Sequence, residues 1–127
     1  MRNKIKLAFV DDSTLQQIML NFHVQKSRLY NMVFTCKNGL ELLEKLERAK
    51  ELPEICIIDL HMPIMGGKEV AKEISERFPT IKLFGYTASK DIDELNSFKR
   101  QGLLRVFKKE NPVHMLKEIG IIIGLKI

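Results

Sequence analysis

Short runs of apolar residues alternate along the chain with longer segments in which apolar residues recur at helical spacing. The runs at residues 5–10, 31–36, 55–58, 81–86 and 103–107 have the length of β-strands. Those at 5–10 and 55–58 are nearly continuous in apolar residues, as expected for strands that are covered on both faces. The pattern therefore predicts five strands.

Each predicted strand is followed by a segment whose apolar residues are three or four positions apart, which is typical of an amphipathic helix. The five stripes are Leu15, Ile18, Met19 and Phe22; Leu40, Leu43 and Leu46; Val70, Ile74 and Phe78; Ile92, Leu95 and Phe98; and Met115, Leu116 and Ile119. Ser13 or Thr14 is suited to cap the first helix, and Asn111, which precedes a proline, is suited to start the fifth. Pro79 and Gly102 are stop signals for the third and fourth.

Strands that alternate with helices imply right-handed βαβ crossovers and a parallel sheet, so the predicted fold class is α/β. Because no internal repeat or linker interrupts the pattern, residues 1–127 are predicted to form a single domain. Residues 120–127 form an apolar end. The sequence leaves open whether this end extends the last helix, packs on the body or begins a segment that is removed.

Composition restricts the classes of protein that fit. Of the 127 residues, 45% are hydrophobic and 29% are charged, as in globular domains. No apolar run approaches the roughly 20 residues that span a bilayer, and the N-terminus lacks the apolar segment of a secretory signal. Cys36 and Cys56 have neither metal-binding nor CxxC spacing and are expected to be buried, reduced thiols. A cytoplasmic protein without membrane contact is predicted.

The formal net charge of +5 does not by itself indicate a nucleic-acid site. Basic and acidic residues are interspersed, as at 44–48 and 69–73, which is typical of solvated helix faces. Because the chain has no dense basic tract with interleaved aromatic residues, it is not expected to bind nucleic acid itself.

Polar residues follow four of the predicted strands at the point where each strand ends. Asp11 and Asp12 follow the first strand, Asp59 the third, Thr87 the fourth and Lys109 the fifth. The carboxyl ends of parallel strands border the crevice in which open α/β sheets bind ligands. Three carboxylates, a hydroxyl and an ammonium group would converge there, and such a set can hold a divalent cation together with a phosphoryl group.

Each of these residues also has an ordinary structural explanation. Asp11 or Asp12 could cap the next helix, and Asp59 could be a turn residue. Adjacent carboxylates repel each other, however, unless a cation such as Mg²⁺ neutralises them, and a carboxylate beside Mg²⁺ can attack a phosphoryl group. The agreement of four strand ends favours phosphoryl chemistry over a set of unrelated caps and turns.

With these residues at these positions, the chain resembles the receiver domain of bacterial two-component response regulators, and it is similar to the single-domain chemotaxis type over a core of about residues 4–119. The resemblance implies a flavodoxin-like (βα)5 fold, with a five-stranded parallel sheet in the order 2-1-3-4-5 and helices on both faces. It also implies that Asp59 is the phosphoacceptor and that Mg²⁺ is the cofactor, with Mn²⁺ as an alternative.

The resemblance implies a role for each site residue. The implied metal ligands are Asp12 directly, Asp11 through water, Asp59 and the backbone carbonyl of His61. The implied contacts of the phosphoryl group are the Thr87 hydroxyl, the Ala88 amide and the Lys109 ammonium group, with Lys108 as a less suitable alternative to Lys109.

The resemblance further implies the partners of the chain. A sensor histidine kinase or a phosphotransfer protein would be the phosphodonor, and a downstream effector or output domain would recognise the phosphorylated form. A phosphorylation-dependent homodimer is a further option. Such a protein is a signalling phosphoacceptor rather than an enzyme, although it assists its own phosphorylation and dephosphorylation.

Three residues depart from the usual pattern of this family. Val106 stands where an aromatic switch residue is common, and Glu110 stands where proline often follows the lysine. His61 lies two positions after the phosphoacceptor, and we hypothesise that its bulk partly blocks the water that hydrolyses the aspartyl phosphate.

Two other functions remain open from the sequence. Glu110 favours the receiver part of a longer helix-turn-helix transcriptional regulator, and Val106 keeps open a phosphate-independent interaction module with the same fold. Phosphatases of the haloacid-dehalogenase type need Asp-x-Asp after the first strand, whereas Asp11 and Asp12 are adjacent. A P-loop is excluded because Gly66-Gly67-Lys68 lacks the earlier glycine of that motif.

Overall fold

The computed structural model describes residues 3–125 as five strands that alternate with five helices. The elements are β1 (Ile5–Val10), α1 (Thr14–Ser27), β2 (Tyr30–Cys36), α2 (Gly39–Arg48), β3 (Ile55–Ile58), α3 (Gly67–Arg77), β4 (Lys82–Thr87), α4 (Ile92–Lys99), β5 (Leu103–Lys108) and α5 (Pro112–Ile122). The strands pair in parallel in the order β2-β1-β3-β4-β5. The predicted α/β class and strand order are confirmed.

The sheet separates two apolar cores. Residues of α2, α3 and α4 pack with one set of strand side chains, including Leu46, Ile74 and Phe98. Residues of α1 and α5 pack on the opposite face, including Val24 and Ile119. Helices on both faces explain why the central strands β1 and β3 are apolar at nearly every position, since neither face meets water.

The register of β1 and β3 positions the ends of these two strands side by side. Val10 is the partner of Ile58, and the Asp59 amide donates a hydrogen bond to the Val10 carbonyl at 3.0 Å. The Asp11 amide in turn donates to the Cys36 carbonyl of β2 at 3.0 Å. The residues that follow β1 and β3 therefore enter the same crevice.

The first helix forms as predicted, but its predicted apolar stripe faces solvent. Leu15 is 64% exposed, Ile18 64% and Phe22 56%, whereas Leu20 and Val24 are buried. The Ser13 hydroxyl caps this helix by accepting a hydrogen bond from the Gln16 amide at 3.2 Å. The apolar stripe marked by the spacing is therefore not the core face of α1, because two apolar sets share this helix and the sheet covers the shorter one.

Two leucines on α1 test this orientation with the same substitution. We expect Leu20→Ala to lower the free energy of unfolding by about 2–5 kcal/mol, because it removes buried methyl groups and leaves a cavity. Leu15→Ala should change it by less than about 0.5 kcal/mol, since Leu15 is largely in water. Urea denaturation of the two variants measures both values, and equal losses would contradict the orientation of α1.

The apolar end of the chain partly extends α5. This helix ends at Ile122, and Ile121 in its last turn is exposed. Ile123 and Leu125, which follow the helix, pack against the core that α1 and α5 form with the sheet. Residues 126–127 of the predicted apolar end lie outside the described residues. Within residues 3–125, no helix combines the length and the apolar character needed to cross a membrane.

Both cysteines lie in the core with free thiols, as the sequence predicts. Burial raises the pKa of the Cys36 thiol to about 11 and raises the pKa of the Cys56 thiol even further. Both thiols are therefore protonated at neutral pH and behave as small apolar side chains.

Candidate functional site

Three carboxylates meet at the carboxyl ends of β1 and β3. One carboxylate oxygen from each of Asp11, Asp12 and Asp59 lies within 4.8 Å of the others. Asp11 is fully buried and Asp59 is 6% exposed, whereas Asp12 is exposed. Like charges this close raise the energy of the ionised cluster, so the site favours a cation that could neutralise it.

The loop from Asp59 to Gly67 has a conformation that requires glycine at its end. The Gly67 amide donates a hydrogen bond to the Leu60 carbonyl at 2.8 Å. A Cβ atom at Gly67 would lie 2.3 Å from the Asp59 carbonyl oxygen, which no other residue could accommodate without a shift of the backbone. The close approach of the α3 N-terminus to the end of β3 thus fixes the backbone conformation at Asp59, from which its side chain extends.

Lys109 reaches into this cluster from the end of β5. Its Nζ atom lies 2.6 Å from Asp11 Oδ2 and 3.2 Å from Asp59 Oδ1, and its side chain is only 12% exposed. Its amide donates to the Thr87 carbonyl at 3.0 Å, which ties the loop after β5 to the end of β4. The neighbouring Lys108 is exposed. The geometry therefore favours Lys109 over Lys108 as the ammonium group of the site.

The environment of Asp59 disfavours its charged form. Burial, and secondarily the charge of Asp11, raises the pKa of Asp59 from 3.8 to about 6, although Lys109 and the Leu60 amide oppose the shift. A carboxylate with this pKa is ionised at neutral pH but poorly stabilised. A bound cation would supply the stabilisation that the protein alone does not provide.

One oxygen of the cluster fits a metal site directly. Among residues 3–125, Asp11 Oδ2 is a buried side-chain atom that accepts no hydrogen bond. The Lys109 Nζ atom is 2.6 Å away and offsets the charge of this oxygen, although the contact lies outside hydrogen-bonding geometry. Together with the exposed Asp12, which borders a cavity of about 530 Å³, this donor set suits the oxygen-ligand, water-retaining coordination of Mg²⁺.

The residues predicted to contact a phosphoryl group surround a second, smaller cavity. Thr87, Ala88 and Lys109 all line this space of about 180 Å³. Thr87 is buried, and its hydroxyl oxygen accepts a hydrogen bond from the Ser89 amide at 3.2 Å. The structure thus places Thr87, Ala88 and Lys109 around one opening.

A contact that the sequence did not reveal crosses the larger cavity. His61 Nε2 lies 2.9 Å from Glu94 Oε1, and the Ser89 hydroxyl donates to the same oxygen at 2.7 Å. These hydrogen bonds lower the pKa of Glu94, Ser89 having the larger effect. Glu94 lies three residues after Asp91, which caps α4, so the sequence marked it only as an acid in a first helical turn. No local pattern connects it with His61, 33 positions earlier.

The switch position is occupied as the sequence indicated. Phe107 is buried in the core beside Phe84, with ring centroids 6.2 Å apart. Val106 is only partly buried and borders a cavity of about 300 Å³ that also contacts Thr87 and Leu95 of α4. An aromatic side chain that could rotate in this space is replaced by a small β-branched one.

Comparison with known proteins agrees with the fold. A family model described as the response regulator receiver domain matches residues 7–119. The chain belongs to this family. The acidic cluster therefore belongs to a receiver domain of two-component signal transduction.

Several relatives resemble this receiver domain. The transcriptional regulatory protein LnrK of Bacillus subtilis is 34% identical over 88 residues, which cover 68% of this chain and 39% of LnrK. A protein-glutamate methylesterase/protein-glutamine glutaminase of Methanococcoides burtonii is 30% identical and covers 84% of this chain and 33% of its own length. The chain thus spans about a third of these two relatives. The chemotaxis protein CheY of Listeria monocytogenes is 25% identical, with 90% of this chain and 97% of CheY covered.

Solved structures show the same fold at lower sequence identity. The response regulator domain of Thermotoga maritima CheB matches with a TM-score of 0.85 at 20% identity, covering 98% of this chain and all of that domain (100%). The isolated receiver domain of RcsB from Salmonella enterica serovar Typhimurium, solved with the phosphomimetic BeF3⁻, matches with a TM-score of 0.83 at 19% identity over 98% of this chain and 93% of its own.

Proposed function

We propose that this receiver domain accepts a phosphoryl group on Asp59 from a histidine kinase or phosphotransfer protein, with Mg²⁺ as cofactor. The observation that supports this most directly is the cluster of three carboxylates within 4.8 Å, together with the Lys109 ammonium group 3.2 Å from Asp59. Membership in the family supports the same role. The domain acts as a signalling phosphoacceptor that assists its own phosphorylation and dephosphorylation.

Each residue of the site has a proposed task in the transfer. An Asp59 oxygen forms the new bond to phosphorus, while the bond between phosphorus and the donor nitrogen breaks and the imidazole leaves. Asp12, Asp11, Asp59 and the His61 backbone carbonyl would hold Mg²⁺, Asp11 through water. When bound, Mg²⁺ offsets the negative charge of the carboxylates and of the phosphoryl oxygens.

The phosphoryl oxygens need further positive or hydrogen-bonding partners. Lys109 is already oriented by two carboxylates and would contact one oxygen. The Thr87 hydroxyl and the Ala88 amide would contact another after Thr87 turns from Ser89 toward Asp59. This movement would alter the surface formed by α4 and β5, where we expect the downstream partner to bind.

The exposed apolar face of α1 is our candidate for phosphodonor docking. Leu15, Ile18, Met19 and Phe22 are all more than 40% exposed, and the helix begins directly after Asp12 and Ser13. Because the Asp59 carboxylate is almost fully buried, a donor must approach it from the protein surface beside the start of α1. Burial of such a face would contribute binding energy without changing the reactive site.

The output of the domain has a second candidate, the receiver part of a longer transcriptional regulator. LnrK is a transcriptional regulator, and this chain spans only 39% of its length. The other form is a single-domain protein like CheY, which this chain matches over 97% of the length of CheY. A size measurement of the natural gene product distinguishes these two forms.

The decisive experiment is intact mass spectrometry after incubation with acetyl phosphate. We expect one added phosphoryl group that requires Mg²⁺ and is absent in Asp59→Asn. The exposed acid Asp93 provides a matched control, because Asp93→Asn removes a carboxylate of α4 outside the cluster and should leave the adduct unchanged. An adduct on Asp59→Asn would contradict the assignment of Asp59 as the phosphoacceptor, and no adduct on the wild type in a rapidly quenched time course would contradict the proposal and favour a phosphate-independent module.

A further inference from the structure

The contact between His61, Glu94 and Ser89 joins the two loops that border the phosphoacceptor. His61 lies in the loop after β3, and Ser89 lies in the loop after β4. Glu94 is in the first turn of α4, and its Oε1 atom is within 2.9 Å of both His61 Nε2 and Ser89 Oγ. One carboxylate oxygen therefore holds two loops that are distant in sequence.

This contact continues to Thr87 through Ser89. The Ser89 amide donates to Thr87 Oγ1 at 3.2 Å, while the Ser89 hydroxyl donates to Glu94. Thr87 therefore directs its oxygen at a backbone amide of its own loop. If Thr87 turns its hydroxyl toward Asp59, it loses the hydrogen bond from the Ser89 amide. The hydrogen bond from the Ser89 hydroxyl to Glu94 holds Ser89 in the position in which its amide can bond to Thr87.

We propose that Glu94 is a positioning residue that holds the loop after β4 in its resting arrangement and so opposes the movement of Thr87 toward a bound phosphoryl group. This inference rests on the proposed function, because it assumes that the site binds a phosphoryl group. The bridge does not touch the reacting atoms. It adjusts the equilibrium between the resting and the phosphoryl-bound arrangement of the site.

The expected size of the effect follows from ordinary hydrogen bonds. Two partly exposed hydrogen bonds end on Glu94, with side-chain exposure of 68% for His61 and 26% for Glu94. Their combined net contribution corresponds to about fivefold in an equilibrium constant. Loss of the bridge should therefore raise the affinity for a phosphoryl analogue by about fivefold, since only the resting arrangement is weakened.

The test is a titration with BeF3⁻ in the presence of Mg²⁺, followed by ¹⁹F NMR. We expect Glu94→Ala to bind BeF3⁻ about fivefold more tightly than the wild type. Asp93→Ala removes the neighbouring first-turn acid of α4, which makes no such bridge, and should bind as the wild type does. Glu94→Gln keeps an acceptor oxygen at the same place and should return the affinity to within about twofold of the wild type.

A double-mutant cycle shows whether Glu94 acts through Ser89. Ser89→Ala alone should also tighten BeF3⁻ binding, but it should add little in the Glu94→Ala background. The midpoint of thermal unfolding should fall by only a few degrees in Glu94→Ala, as expected when the resting arrangement is weakened about fivefold, whereas a general structural defect would lower it much further.

The outcomes distinguish this inference from the proposed function. If Glu94→Ala binds BeF3⁻ no more tightly than Asp93→Ala, the positioning role of Glu94 is refuted while the phosphoacceptor proposal stands. If the two substitutions at Glu94 and Ser89 add fully, the chain of contacts through Ser89 is refuted. A wild type that binds no BeF3⁻ with Mg²⁺ and gains no phosphoryl group would overturn both the inference and the proposed function.

Discussion

Replacement of Lys109 by methionine will slow the phosphorylation of Asp59 by about a hundredfold. The Lys109 ammonium group is 3.2 Å from Asp59 Oδ1 and 2.6 Å from Asp11 Oδ2, so it is already in place where negative charge gathers during transfer. Loss of one such preorganised group typically costs about 10²–10³ in rate. The rate of adduct formation with acetyl phosphate, followed by quenched intact mass spectrometry, measures this change.

Lys108 is the matched control for this substitution. It is adjacent in the chain and has the same side chain, but it is exposed at the end of β5. Lys108→Met should therefore be phosphorylated at a rate within about twofold of the wild type, since the charge of an exposed side chain is screened by solvent. A larger loss at Lys108 than at Lys109 would show that the assignment of the ammonium group is wrong.

The residues of the site were predictable because the residues that follow parallel strands gather at one edge of the sheet. Asp59 and Thr87 directly follow an apolar run, and Lys109 follows one after Lys108. The parallel sheet brings such positions to one edge whatever the conformation of the loops. The strand order itself came from the resemblance rather than from periodicity. Hydrophobic spacing alone does not say which strands are neighbours.

The orientation of α1 shows where periodicity fails. The stripe of Leu15, Ile18 and Phe22 has helical spacing, and it is nevertheless exposed, whereas Leu20 and Val24 are buried. Spacing shows that residues share a helix face, but it cannot say whether that face meets the sheet or another protein. An apolar face for a partner and an apolar face for the core have the same pattern in one sequence.

Long-range side-chain contacts were beyond prediction for a related reason. Tyr30, which lies outside the predicted second strand, begins β2, and its hydroxyl donates to the Leu116 carbonyl of α5 at 2.7 Å. The bridge from His61 to Glu94 joins residues 33 positions apart. Such contacts depend on the angles at which helices pack on the sheet, which no local motif records.

Asp59→Asn will stabilise the metal-free protein at pH 7.5, although it removes the phosphoacceptor. In the folded protein, burial raises the pKa of Asp59 from 3.8 to about 6, so folding disfavours the ionised carboxylate. Asparagine avoids this cost, because it is neutral and of similar size. We expect a gain on the order of 2 kcal/mol in the free energy of unfolding, reduced from the full effect of the shift by the remaining access of solvent.

The pH dependence follows from the direction of the shift. The folded state binds the Asp59 proton more tightly than the unfolded chain does, so this stabilisation is complete below about pH 3.8 and is lost as the pH rises through about 6. The difference between Asp59→Asn and wild type should thus be small near pH 4, grow with pH and remain constant above pH 6. Urea denaturation across this range measures it, with Asp93→Asn as an exposed control that should show no such trend.

Mg²⁺ should narrow the difference between the two proteins. A cation bound by Asp11, Asp12 and Asp59 favours the ionised form of Asp59, so it should stabilise the wild type more than Asp59→Asn. If Asp59→Asn is instead less stable than the metal-free wild type at pH 7.5, the ion pair with Lys109 outweighs the cost of burying the carboxylate. If Asp59→Asn is the more stable of the two, the wild type retains a destabilising carboxylate at the end of β3. This is expected if that position is maintained for cation and phosphoryl binding rather than for folding.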